Sequence, residues 1–224
     1  STNGAPNGIV LSNTGSGGFT ISGVGSTDGS GGVIQQSTGA GVSLNNVTNV
    51  SLNFMKIVDG RDDGIRGVNV TGFTLNRSQV LNNGDAVGES GVELTGLLGD
   101  AAITNSTVSG SHSFNVRIDI SSGTLNSLTV TDSTFNDTKA SLNGEDGFFI
   151  NLPPGGNGVV NTVSVTGSTF QNNRSEGVRV NVEGDGVVHD FTFTGNTVAG
   201  NGVGVNVSSG GNGDVTFNIS NNPI

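Results

Sequence analysis

Cysteine, tryptophan and tyrosine are all absent from the 224 residues, and methionine occurs once. Without thiols there are no disulfides and no thiolate metal sites, as in a bacterial surface protein that crosses an envelope unstapled. Without Trp or Tyr there is no flat aromatic platform with a polar edge on which a sugar usually stacks. Basic residues are also scarce. Eight Lys and Arg stand against 18 Asp and Glu, a formal charge of −10. A nucleic acid or an anionic membrane surface would therefore meet no basic field. No apolar run approaches the length of a membrane span, so membrane insertion is not expected. The chain opens at Ser1 with no signal-like segment, and is read as a mature form or as a fragment of a larger surface protein.

What is abundant is glycine, at 39 residues, together with Val, Leu, Ile and Phe. The apolar side chains form a β-rich palette, with few of the Ala, Glu, Lys and Leu runs that build helices. A mean hydropathy of −0.07 leaves enough apolar material for a core, so the composition describes an all-β chain and not a disordered one.

Two phrases recur in alternation. The first reads VSLNFMKI from Val50, FTLNRSQV from Phe73, AAITNSTV from Ala101 and LTVTDSTF from Leu128. It continues as VSVTGSTF from Val163, FTFTGNTV from Phe191 and FNISNNPI from Phe217, with a short copy, FTISG, at Phe19. The second begins at Gly8, Gly41, Gly64, Gly91, Asn115, Gly147, Gly177 and Gly202, as in GVRVNV and GVGVNV. Both alternate apolar with small or polar residues, the period of a strand with one buried face. Constant phrases at an irregular spacing mean that loops change length while strands keep register, as in a solenoid. The unit is too short for a propeller blade.

The expected fold is all-β, a right-handed single-stranded parallel β-helix of about seven to eight coils, with residues 1–224 forming a single domain. In it Phe191, Phe193 and Val198 point inward, while Thr192 and Thr194 face solvent. The sixth position of the first phrase holds Ser78, Ser106, Ser133, Ser168, Asn196 and Asn222. That spacing predicts a ladder of small polar residues satisfying backbone groups at a corner.

The paired phrases resemble the parallel β-helix repeats of the pectate-lyase-like superfamily, from about Gly8 to Ile224. FQNN at Phe170 and GGVI at Gly31 resemble the FxxN and GGxI repeats of autotransporter passenger and polymorphic membrane proteins. The resemblance implies the fold and leaves the activity open, because lyases, hydrolases, epimerases, tailspikes and adhesins share it.

Chemistry-bearing residues are sparse. DGRDDGIR, from Asp59 to Arg66, is the densest charged cluster. Its Asp62 and Asp63, with Glu89, form a candidate Ca²⁺ site, and no other cofactor is expected. The polygalacturonase-like β-helices also carry an Asp-Asp pair, but their His-Gly and Arg-Ile-Lys motifs do not occur here. Further acids precede the second phrase at Glu145, Asp146 and Glu176, where stacking would bring like charges together. The first outward position of that phrase holds Arg66, Glu93, Arg117, Phe149 and Arg179 in successive coils. One reading of these is a cross-strand ion-pair ladder through Arg66, Glu93 and Arg117. The other is a shallow ligand groove built by Arg117, Asp119, Phe149 and Arg179. His112 and His189 each lack a second histidine for a metal site and a cysteine nucleophile to activate. An outward array of Thr129, Thr131, Ser164, Thr166, Thr192 and Thr194, broken at Ala102 and Asn218, could order water or simply suit an exposed strand.

Three functional classes remain open on these residues. The leading one is a noncatalytic, adhesin-like or structural segment of a secreted or cell-surface bacterial protein, with glycans or host-surface molecules as partners. A carbohydrate-active β-helix enzyme is the alternative, and an ice-binding solenoid the second.

Overall fold

The computed structural model describes residues 1–23, 27–139 and 145–223. They form an all-β parallel solenoid of about seven turns, with no helix. Every strand pairing is parallel, and each strand pairs with its counterpart one coil away.

Three faces run along the stack. The second phrase makes the first face, as in Val116–Asp119, Phe148–Leu152 and Glu176–Val182. The start of the first phrase makes the second face, as in Thr124–Thr131, Val159–Thr166 and Val187–Thr194. Its end makes the third, as in Thr134–Asn136, Thr169–Gln171 and Thr197–Ala199. In three coils the chain passes from the first face to the second without a break, in Val42–Asn53, Ile65–Asn76 and Val92–Thr104. The first two faces therefore belong to one sheet of 13 strands, and the third face is a separate sheet of eight.

Inward residues stack on their equivalents. Val165 aligns with Phe193, and Phe193 with Ile219. Phe191 and Phe193 are fully buried, and the rings of Phe135, Phe170 and Phe193 follow one another at 5.1 and 5.5 Å between centroids. Each such side chain contributes about 1.5–3 kcal/mol through burial. Thr192 and Thr194 lie on the outer side as expected, although neighbouring coils half-bury them. In the last coil Phe217 and Ile219, inward by register, are 54% and 41% exposed.

The corner ladder is present. The amide of Ser78 donates to Ser106 Oγ at 3.1 Å, that of Ser106 to Ser133 Oγ at 3.1 Å, and that of Ser133 to Ser168 Oγ at 3.2 Å. Asn196 and Asn222 continue it with side-chain carbonyls, at 2.9 Å each. Each side chain also donates back to a carbonyl that the bend has freed, as Ser133 Oγ does to Thr131 O at 2.8 Å. The residue before each rung is left-handed: Asn105 at φ 48°, Asp132 at 48°, Gly167 at 61° and Gly195 at 67°. Asn, Asp and Gly bear that conformation at least cost. Phe54 and Arg77 occupy the same corner position in earlier coils, at 58° and 49°, with the Arg77 guanidinium 5.4 Å from the Phe54 ring.

Candidate functional site

Register along the first face sets the candidate site. Arg66, Glu93, Arg117, Phe149 and Arg179 are directly aligned, coil on coil. Asp119, Asn151 and Asn181 form the next file. The four residues of the predicted groove, Arg117, Asp119, Phe149 and Arg179, are thus brought together over three coils.

Their side chains are engaged with one another. Arg117 Nε donates to Asp119 Oδ2 at 2.7 Å. Asn151 Nδ2 donates to Asp119 Oδ1 at 2.7 Å, and Asn181 Nδ2 to Asn151 Oδ1 at 3.1 Å. Phe149 stacks on Phe114 with centroids 5.4 Å apart, and both are 7% exposed despite lying on the outer side. The Arg117 guanidinium lies 5.3 Å from the Phe114 ring, and that of Arg179 4.9 Å from Phe149. Arginine on an aromatic face keeps its charge while shielding the ring. Phe114 has no counterpart in the sequence reading, because its coil opens on Asn115 rather than on Gly.

The expected ion-pair ladder does not form. Among the described residues no ion pair reaches Glu93; Arg66 lies 4.0 Å from Asp63, and Arg117 closes on Asp119. Each of these two arginines takes a carboxylate two or three residues away in its own coil, Asp119 on the strand and Asp63 in the corner before it, instead of crossing to the neighbouring coil. Burial raises the Glu93 carboxyl above its usual range, with Arg117 opposing.

Beside the stacked rings lies a carboxyl pair. Asp146 is fully buried and Glu176 is 8% exposed, one coil apart. The Glu176 amide donates to Asp146 Oδ1 at 3.1 Å. Burial pushes Asp146 up to about 7, and Glu176 adds to the rise. Burial works against ionisation of Glu176 as well, yet the neighbouring Asp146 carboxyl and the hydrogen bonds donated by Ser175 and Asn206 hold it below its usual range. The two shifts run in opposite directions, which favours the protonated form of Asp146 beside an ionised Glu176 and so eases the repulsion expected where acids stack.

Of the three acids proposed for Ca²⁺, Asp63 is 4% exposed and accepts the Ser90 amide at 2.6 Å. Burial pushes it up to about 7, against the pull of that amide. Asp62 Oδ1 accepts the Asp63 amide at 2.8 Å. Glu89 folds back on its own turn, with Oε2 accepting the Asp85 and Ala86 amides at 2.6 Å each. No group of three or more acidic or histidine side chains suited to a metal ion occurs among the described residues.

The second face carries Thr129, Ser164 and Thr192 in one file and Thr131, Thr166 and Thr194 in another. The break at Ala102 is present, since Ala102 aligns with Thr129. A further file on the third face, Thr107, Thr134, Thr169 and Thr197, was not anticipated. Its signal was the Thr three residues after the last outward Thr of each first phrase, as in Thr131 and Thr134. His189 is exposed, and its neighbour Asp190 accepts the Thr192 hydroxyl at 3.1 Å. His112 is half-buried, with Nδ1 unpartnered among the described residues.

No family model, curated protein or solved structure matches the chain.

Proposed function

We propose that this chain is a noncatalytic β-helix segment of a secreted or cell-surface bacterial protein, adhesin-like, which engages glycans or other surface molecules across its faces. The observation that carries this reading is the first-face patch, in which Arg117 and Arg179 lie on Phe114 and Phe149. The patch is flanked by the Asp119, Asn151 and Asn181 file. Most of these groups are engaged with one another, Arg117 with Asp119 and the Asn file with Asp119, which suits weak contact over a wide area better than proton abstraction or oxyanion stabilisation. Resemblance to autotransporter passenger repeats is in keeping with this reading, while the likeness to pectate-lyase-like repeats bears on the fold and leaves activity open.

The test is a glycan array run in parallel with a screen for cleavage of pectin, alginate and neutral glycans. Binding without turnover is expected, and Arg117→Ala or Arg179→Ala alone should weaken it by less than about tenfold, or under about 1.4 kcal/mol. Turnover that disappears on Arg179→Ala or Asp62→Ala overturns the reading.

One observation favours a carbohydrate-active enzyme instead. A carboxyl that keeps its proton near neutrality beside an ionised partner is the division of labour that acid–base catalysis requires, and Asp146 with Glu176 has it. Against this, both groups lie beneath the surface. Loss of turnover in Asp146→Asn would decide for the enzyme.

A further inference from the structure

The corner between the third and first faces carries its own file of left-handed residues: Gly4 at φ 69°, Gln36 at 55°, Asp59 at 56° and Asn82 at 56°. They follow directly on aligned strand residues, Asn3 on Gln35, Gln35 on Val58 and Val58 on Leu81. Side chains should stack along this file, and Asn82 Nδ2 does donate to Asp59 Oδ1 at 3.3 Å. At Gly4 the file loses its side chain, and a Cβ there would meet nothing within 4 Å. The result is a cavity of about 470 Å³ lined by Gly4, Gln36, Thr38, Asp59 and Arg61. That is the size of a small-molecule site.

Two features make this cavity more than a gap. Its backbone is fixed, because the Arg61 amide donates to Ser37 O at 2.8 Å and the Thr38 amide to Ala5 O at 3.1 Å. Its charges are opposite and not paired with each other, Asp59 taking one hydrogen bond from the neutral Asn82 amide. Asp59 and Arg61 line the same space two residues apart, yet neither forms an ion pair within 4.0 Å among the described residues. Every other arginine but Arg179 has a carboxylate partner. An anion alone would be repelled by Asp59, and a cation alone by Arg61. A ligand that carries both charges on neighbouring atoms satisfies both walls at once.

We propose that this corner cavity binds a small zwitterion, an α-amino acid, with its carboxylate on Arg61 and its ammonium on Asp59. Gln36 and Thr38 supply hydrogen bonds to the remaining polar groups. The site is separate from the first-face patch and does not depend on the glycan-binding reading.

The test is a titration of the ¹⁵N-labelled chain with glycine and L-serine, followed by amide chemical shifts. N-acetylglycine and glycine methyl ester are the controls, because each lacks one of the two charges. Expected are saturable shifts confined to Gly4, Gln36, Thr38, Asp59 and Arg61, with the blocked forms at least about tenfold weaker. Asp59→Asn and Arg61→Gln should each weaken glycine by at least about tenfold while leaving distant amides in place, since both alter exposed side chains. Absence of saturable shifts up to about 50 mM, a Kd too weak for a built site, overturns the proposal. So does equal binding of a blocked form, which would make this a plain anion or cation site.

Discussion

Glu176 lies one coil from Asp146, and its amide donates to Asp146 Oδ1 at 3.1 Å, joining a fully buried carboxyl raised by burial to one 8% exposed that is held below its usual range. Folding therefore raises the Asp146 pKa from 3.8 to about 7, and that of Asp63 likewise. Between those values the folded chain holds protons on Asp146 and Asp63 that the unfolded chain has lost, so the stability these two groups contribute is fully present below about pH 4 and declines as pH rises toward 7, while the lowered Glu176 acts in the opposite sense at the acid end.

Unfolding free energy should accordingly fall by an amount on the order of a few kcal/mol as pH is raised from about 5 to about 8, and the melting temperature should fall with it. Asp146→Asn keeps an acceptor for the Glu176 amide and supplies a permanent donor in place of the proton. It should flatten the pH profile and raise stability at pH 8. A profile unchanged by this substitution would show that Asp146 is ionised in the fold.

Phe193 lies between Val165 and Ile219 and is fully buried, whereas Thr194 is on the outer side. Phe193→Ala should cost about 3–5 kcal/mol in chemical denaturation, and Thr194→Ala under about 1 kcal/mol. Equal losses would contradict the inward assignment.

These inward positions were legible from period-two alternation alone, as were most corners, since Asn105, Asp132, Gly167 and Gly195 carry turn chemistry in their residue types. Phe54 and Arg77 were not, because neither is a turn former; what accompanies them is contact between coils. The first-face file was also readable, but its pairing was not. Alignment put Arg117 beside Glu93, while a shorter path on its own strand led to Asp119. Stacking predicted that Asp146 and Glu176 would meet. Their protonation depends on burial by other coils, which no local pattern encodes. Phe114 was missed for a similar reason: an apolar ring on an outer position is readable only once Arg117 and Phe149 are seen against it.

Calcium gives a further check. Asp62, Asp63 and Glu89 each accept backbone amides, and those of Glu89 lie in its own turn. Millimolar Ca²⁺ and EDTA should leave the melting temperature unchanged, since only a ligand of the folded state shifts it. A rise with Ca²⁺ that Glu89→Gln abolishes would mean that Glu89 leaves the Asp85 and Ala86 amides to join a site.

The corner ladder supplies the last prediction. Ser133 is 2% exposed, and its Oγ accepts the Ser106 amide while donating to Thr131 O. Ser133→Ala leaves a buried amide without its acceptor and a freed carbonyl without its donor, at a cost of about 1–3 kcal/mol. Thr134, the next residue, lies outside on the third face and has no such duty, so Thr134→Ala should stay within about 0.5 kcal/mol. Ser133→Asn separates hydrogen bonding from fit. Asn196 performs the same task two coils on, its Oδ1 taking the Ser168 amide at 2.9 Å and its Nδ2 donating to Val165 O at 2.9 Å. If the ladder works through its hydrogen bonds, asparagine should retain more stability at position 133 than alanine does, measured by urea denaturation of the three variants. Alanine outperforming asparagine would show that tight packing around the small side chain, rather than amide satisfaction, sets the residue at this corner.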